Sequence, residues 1–129
     1  MHTVIWTATF LTQAKRHGLS EADMDTIVNT LADNPVAGDL MARTGGARKL
    51  RHAGRGGGKS GGYRTIHYFG GDDVPIFLLA VYGKGAKANL TDAEKNELAK
   101  ILPSLADAYR ANVKKVTAQL GQSKKWKNK

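Results

Sequence analysis

The stretch VPIFLLAVY, residues 74–82, constrains the fold of this chain more than any other segment. It is an almost unbroken run of apolar residues, several of them β-branched or aromatic. A run of this length and composition is typical of a β-strand that is buried on both faces. The rest of the chain must therefore supply the strands and helices that surround it.

Strand and helix patterns occupy most of the remaining sequence. Short runs rich in β-branched and aromatic residues predict three more strands, and apolar residues at helical spacing predict the helices. The turn sequence GGDD joins the last two strands. The predicted order is strand, two helices, three antiparallel strands in a meander, and a helix. This order makes an α+β domain. The elements are expected, in that order, over residues 3–8, 10–18, 20–34, 47–53, 63–69, 74–82 and from 91 onward.

Local signals define the helix ends. Ser20 is placed to cap the second helix, and the sequence TDAE at 91–94 is a capping box that begins the last one. Pro103 predicts a kink, or a break and restart, in this last helix. We expect a single domain over residues 1–120 and a basic, disordered tail over residues 121–129.

The charge of the chain is unevenly distributed. The chain has 20 Lys and Arg against 11 Asp and Glu, and no acidic residue lies between residues 40 and 71. A one-sided cationic region attracts polyanions, of which nucleic acid is the usual one. We interpret the cations of residues 43–64 as functional, and the lysines of the tail as a solubilising segment.

Several classes of protein are disfavoured. The chain has no cysteine, so it has no disulfide framework and no thiolate chemistry. It has no apolar run long enough to cross a membrane and no signal-peptide pattern at its start. No Cys or His cluster has metal-ligand spacing. We therefore expect a cytoplasmic protein with no membrane partner, metal or cofactor.

The glycine-rich sequence GRGGGKSGGYR, residues 54–64, resembles a phosphate-binding loop only in part. The first glycine that a P-loop requires is replaced by Ala53, and the sequence after the loop predicts a strand rather than a helix. An NTPase is therefore rejected. The segment is better interpreted as a loop between two strands that carries the cations Arg55 and Lys59.

Four cations on the predicted sheet could act on a phosphodiester. Lys49 and Arg51 are two residues apart on a strand and so share one face, with Leu50 on the other. Arg64 begins the next strand, and Lys84 follows the buried strand at the same end of a meander. Such a group could stabilise the phosphorane formed when a 2′-hydroxyl attacks RNA, and a lysine among like charges has a lowered pKa that suits a general base. Charge alone favours binding without chemistry.

The motifs GGARKLR, GRGGGKSGGYRTIHYF and IFLLAVYGKGAKANLT together resemble the RelE/HigB-type toxins of bacterial toxin–antitoxin pairs, within the RelE/ParE superfamily. The resemblance covers about residues 45–100, with NPVAGDLM at 34–41 also similar. It implies a small curved antiparallel sheet with helices packed on one face. It also implies a ribosome-dependent mRNA endonuclease that cuts in the ribosomal A site. It further implies a neighbouring antitoxin, which in the HigB-like branch is often a helix-turn-helix, HigA-like protein.

The resemblance also implies roles for individual residues. Lys49 and Arg51 match the family's strand cations, Arg64 matches the arginine of the SGYR-like motif, and Lys84 matches a basic residue after the buried strand. These four are the predicted catalytic residues. The tyrosine that stacks on the substrate base in RelE itself has no clear equivalent in this chain. The predicted RNA-binding residues are Arg48, Arg55, Lys59, Tyr63 and Lys87.

Two other functions stay open from the sequence. A ParE-like inhibitor of DNA gyrase shares the fold and performs no chemistry on RNA, since fold does not fix function. A non-catalytic RNA-binding module would also use a cationic surface. The density of cations at residues 48–64 favours RNA as the target over gyrase.

Overall fold

The computed structural model describes residues 2–53, 62–83 and 90–122, and of residues 116, 117 and 119–122 only the helical backbone. The described chain follows the predicted order of elements, with one additional short strand. The helices are α1 (Ala8–Arg16), α2 (Glu21–Asp33) and α3 (Asp92–Gln122). The strands are β1 (Val4–Trp6), β2 (Asp39–Leu40), β3 (Ala47–His52), β4 (Tyr63–Tyr68) and β5 (Ile76–Gly83).

The strands form one sheet in the order β1-β5-β4-β3-β2. The predicted meander of β3, β4 and β5 is confirmed, since each pairs with the next in antiparallel fashion. The sheet is mixed rather than antiparallel as expected, because the N-terminal strand β1 runs parallel to β5. The edge strand β2 was not predicted; two residues are too few to show a strand pattern.

Helices cover both faces of the sheet. On one face α1 and α2 pack on β5 and enclose a core of buried side chains: Phe10, Ala14, Ile27, Leu31, Ile76, Leu78 and Val81. On the other face α3 packs on the sheet with a second core: Ala47, Ile66, Tyr68, Val74, Phe77, Ala80, Leu102 and Ala106. The resemblance implied helices on one face only, but the helices lie on both faces of the sheet. Strand β5 is buried on both faces, as predicted.

The predicted caps are present at two helix starts. The Ser20 hydroxyl accepts a hydrogen bond from the Asp23 amide, and the Asp23 carboxylate accepts one from the Ser20 amide. Thr91 and Glu94 make the same reciprocal pair at the start of α3. Each pair satisfies backbone donors that a helix start otherwise leaves without partners. The first helix begins two residues earlier than expected, at Ala8, because the preceding Thr7 caps it.

Helix α3 continues through Pro103 to Gln122, so of the two predicted outcomes, a kink or a break and restart, the break is excluded. A proline has no amide hydrogen and leaves the carbonyl four residues earlier, here that of Ala99, without its helical donor. This turn of the helix lies against Gly45, where an added Cβ would be 3.1 Å from the Ala99 Cα and 3.4 Å from its oxygen. Packing of the flanking residues Leu102 and Ala106 on the sheet holds the helix together despite the proline.

In the described part of the chain, no helix combines the length and the apolar character that crossing a membrane requires.

Candidate nucleic-acid interface

The strand register brings two of the predicted cations together. Arg51 of β3 lies directly opposite Arg64 of β4, and Arg64 lies opposite Tyr82 of β5. Residues paired in this way point to the same face of a sheet. Arg51 is exposed, and Arg64 and Tyr82 are half-buried. The three side chains therefore form one row across the sheet, which we call the arginine row.

Lys49 lies on the same face, two residues along β3 from Arg51 and opposite Ile66. Two residues of strand put it about 7 Å from the arginine row. It is half-buried at the side of a groove to which the first turns of α3 contribute Lys95. The predicted grouping of Lys49, Arg51 and Arg64 on one face is therefore present in the structure.

The apolar packing of α3 lies on the other half of this sheet face. Its buried residues Leu102 and Ala106 belong to a core that includes Ala47 and Tyr68, at the far end of β3 and β4 from the arginine row. At the near end Arg51 remains exposed. The same face thus has a covered half, which stabilises the fold, and a cationic half that a ligand can reach.

Among the described residues, no acidic side chain pairs with Arg51 or Arg64. Ion pairs of the described residues lie elsewhere, between Arg43 and Asp92 and around Arg110. Neither Arg51 nor Arg64 has an ion-pair or side-chain hydrogen-bond partner within residues 2–53, 62–83 and 90–122. Like charges directly opposite each other in a sheet destabilise it. Two guanidinium groups in this arrangement suit a bound polyanion, whose phosphates they can contact through several donors each.

Two predicted RNA-binding residues lie on the opposite face of the sheet. Arg48 is opposite His67, and its guanidinium donates hydrogen bonds to the carbonyl oxygens of Val36 at 3.1 Å and Gly38 at 3.4 Å. Tyr63 packs against the core beneath α1 and α2. The structure therefore does not bring Arg48 or Tyr63 together with the arginine row.

The remaining predicted site residues lie outside the described residues. They are Lys84, which follows β5 directly, together with Arg55, Lys59 and Lys87.

Two buried histidines lie on the opposite face of the sheet, which α1 and α2 cover. The Nε2 atom of His52 is 2.9 Å from the Thr65 hydroxyl. Burial, together with the repulsion that a protonated His67 would exert, lowers the pKa of His52 to about 4. His67 donates from Nε2 to the Pro35 carbonyl at 2.9 Å, which leaves its Nδ1 without a partner among the described residues. Burial lowers the pKa of His67 as well. Both are therefore neutral parts of the core.

Tyr82 is a site candidate that the sequence did not indicate. In the sequence it is the last aromatic residue of a continuous apolar run, which is the pattern of a packing residue. Only the pairing of Tyr82 with Arg64 shows that it shares a face with the cations. Tyr82 is half-buried and packs against the core under α3, so a base can stack only on the part of its ring that is exposed beside the two arginines.

Candidate metal ligands are not grouped in the described part of the chain: no three His, Asp or Glu side chains there are close enough together to hold an ion.

A comparison with known protein families agrees with the fold. A family model described as the RelE toxin of the RelE/RelB toxin–antitoxin system matches residues 2–125, nearly the whole chain.

Proposed function

Because this chain belongs to the RelE toxin family of toxin–antitoxin systems, we propose that it cleaves mRNA in the ribosomal A site and so arrests translation. Toxins of this family are generally endoribonucleases that inhibit translation and that are held in check by a cognate antitoxin. The single observation that carries the proposal is the pairing of Arg51 with Arg64 on the open half of the sheet.

The proposed reaction is an internal transfer at phosphorus. The 2′-oxygen of the nucleotide before the cut attacks the phosphorus atom, and the bond to the 5′-oxygen of the next nucleotide breaks. The 2′-hydroxyl loses its proton to a base, and the departing 5′-oxygen gains a proton. The products are a 2′,3′-cyclic phosphate and a 5′-hydroxyl, so no water and no oxidant is consumed.

The residues of the cationic face have distinct proposed roles. Arg51 and Arg64 hold the non-bridging oxygens and stabilise the negative charge that the phosphorane gains. Lys49 lies about 7 Å along the strand and is the described candidate for proton transfer. Tyr82 stacks on a base beside the cut. Lys84 retains its proposed catalytic role from its position after β5.

The family implies a cognate antitoxin, and the identity of the partners is part of the proposal. The antitoxin is proposed to be a helix-turn-helix, HigA-like protein, and the ribosome supplies the A-site mRNA. Both place the action of the toxin in the cytoplasm. Arg55, Lys59 and Lys87 are proposed to contact RNA, from their sequence positions between β3 and β4 and after β5.

A reconstituted translation system tests the proposal. Ends of an mRNA are mapped by primer extension with and without ribosomes, for the wild-type protein, for Arg64→Ala and for the matched surface variant Lys100→Ala. We expect new ends only with ribosomes, in the wild type and in Lys100→Ala but not in Arg64→Ala. Circular dichroism verifies that the variants are folded.

Two results would contradict the proposal. Intact mRNA with translation still running would exclude cleavage, and a gyrase supercoiling assay would then test the ParE-like alternative. Cleavage that persists in Arg64→Ala would contradict the proposed role of the arginine row in the reaction.

A further inference from the structure

A second feature of the cationic face is a groove beside Lys49. It has a volume of about 290 Å³ and lies between β2, β3 and the start of α3. Lysines, an aspartate and apolar side chains share its lining, chiefly Asp39, Leu40, Met41, Lys49, Leu90 and Lys95. We propose that this groove holds the nucleotide next to the scissile phosphate, with Lys95 as a phosphate contact and Asp39 as an acceptor for the base. This inference rests on the function proposed above.

The position of the groove supports a neighbouring nucleotide rather than a separate ligand. Lys49 belongs to both the groove and the cationic face, and it is two residues from Arg51 on one side of β3. Lys49 and Arg51 are about 7 Å apart along β3, and this distance matches a step of one nucleotide in an extended RNA chain. The groove opens at β2, which is an edge strand, so a strand of RNA can continue outward past it.

The charge of the groove favours a phosphate at Lys95. This side chain is half-buried in the first turns of α3, and it has no ion pair or side-chain hydrogen bond with another described residue. Lys49 and Lys95 come from a strand and a helix that are far apart in sequence, yet they line the same groove. Two lysines that converge in this way attract an anion.

Asp39 gives the groove a different chemistry at its other side. It lies directly opposite Lys49 in the β2–β3 register. A carboxylate repels phosphate, but it accepts hydrogen bonds from the exocyclic amino group of cytosine, adenine or guanine. Uracil has no such group. The apolar side chains of Leu40, Met41 and Leu90 offer a surface for the flat faces of a base.

Binding measurements separate this inference from the cleavage proposal. The probe is a fluorescent three-nucleotide RNA with 2′-deoxy sugars at its first two positions, so that the proposed reaction can cleave neither phosphodiester. Each of the four bases is tested next to the central nucleotide. Anisotropy titrations over a series of salt concentrations compare the wild type with Lys95→Ala and with Lys100→Ala. Lys100 is an exposed lysine on the same helix that does not line the groove.

We expect Lys95→Ala to weaken binding about tenfold at low salt and to reduce the salt slope by about one, while Lys100→Ala leaves both unchanged. Asp39→Asn should remove the preference for cytosine, adenine or guanine over uracil. If Lys95→Ala and the wild type bind the RNA with equal affinity and equal salt slopes, the groove does not hold the nucleotide as proposed. This holds even where the wild type cleaves mRNA. An unaltered base preference in Asp39→Asn would overturn the role of Asp39.

The two proposals fail in different ways. If binding of the RNA depends on Lys95 but the wild type never cleaves mRNA on ribosomes, the proposed function is contradicted. The proposed role of the groove then still stands. Thermal unfolding of each variant verifies that losses of binding do not come from unfolding.

Discussion

Arg51 and Arg64 lie directly opposite each other on neighbouring strands, and neither has an ion-pair partner among the described residues. In a protein selected for stability alone, one of the two positions would be expected to hold a neutral or acidic residue. The pair is therefore best understood as a charge arrangement that is completed by a bound phosphate.

Neutralising either arginine should stabilise the free protein while removing its activity. Arg51→Gln and Arg64→Gln each relieve the like-charge repulsion, and we expect a gain of about 0.5 kcal/mol in the free energy of unfolding at low salt. Urea unfolding of both single variants and of the double variant measures the coupling free energy between the two arginines. This coupling should disappear at high salt. A loss of stability in both single variants would contradict the repulsion.

Tyr82 should act through its ring rather than its hydroxyl. We expect Tyr82→Phe to retain mRNA cleavage and Tyr82→Ala to lower kcat/KM by roughly 10- to 100-fold, because stacking on a base contributes about 1–3 kcal/mol. Single-turnover cleavage on programmed ribosomes provides the rates, and urea unfolding of Tyr82→Ala gives the accompanying change in stability. Equal rates for the alanine variant and the wild type would exclude the ring from the site.

Acid should destabilise the protein through the buried histidines. The folded-state pKa of His52 is lowered from 6.5 to about 4, so between these values the unfolded chain binds a proton that the folded chain does not. Stability therefore falls as the pH decreases from about 6.5 towards 4, by about 2–3 kcal/mol from His52 alone. The lowered pKa of His67 acts in the same direction.

Urea midpoints between pH 7.5 and pH 4 measure this effect. We expect a shallower dependence on pH in His52→Gln, whose side-chain amide can still reach the Thr65 hydroxyl. An identical pH dependence in the variant and the wild type would show that the destabilisation at low pH has another source.

The turn before β2 should depend strictly on glycine. Gly38 has a φ of +88°, and an added Cβ would lie 2.4 Å from the Lys49 carbonyl oxygen. Gly18 is the matched control, because its φ is +70° and nothing lies within 4 Å of an added Cβ. Gly18→Ala should cost about 1 kcal/mol for the left-handed backbone.

Gly38→Ala carries that same backbone cost together with a steric conflict between β2 and β3. We expect its total cost to exceed that of Gly18→Ala by at least about 1 kcal/mol. Thermal and urea unfolding of the two variants make the comparison. Equal losses would mean that β2 can move away from β3 without cost.

The sequence by itself determined the elements whose signals are local. The capping boxes at Ser20 and Thr91 and the apolar run of β5 need only neighbouring residues, and all three are present in the structure. Alternation along β3 was also enough to place Lys49 and Arg51 on one face, since the side-chain period of a strand is fixed. The two-residue strand β2 gave no comparable signal.

Only the tertiary structure decided which cations meet and which do not. Arg51 pairs with Arg64 because of the β3–β4 register, which depends on contacts between residues distant in sequence. The same register places Arg48 on the opposite face and brings Tyr82 beside Arg64. Helix α3 brings Lys95 to the groove beside Lys49 by packing across the sheet. Composition and spacing carry none of these long-range relationships, because they are set by how the hydrophobic faces of helices and sheet fit together.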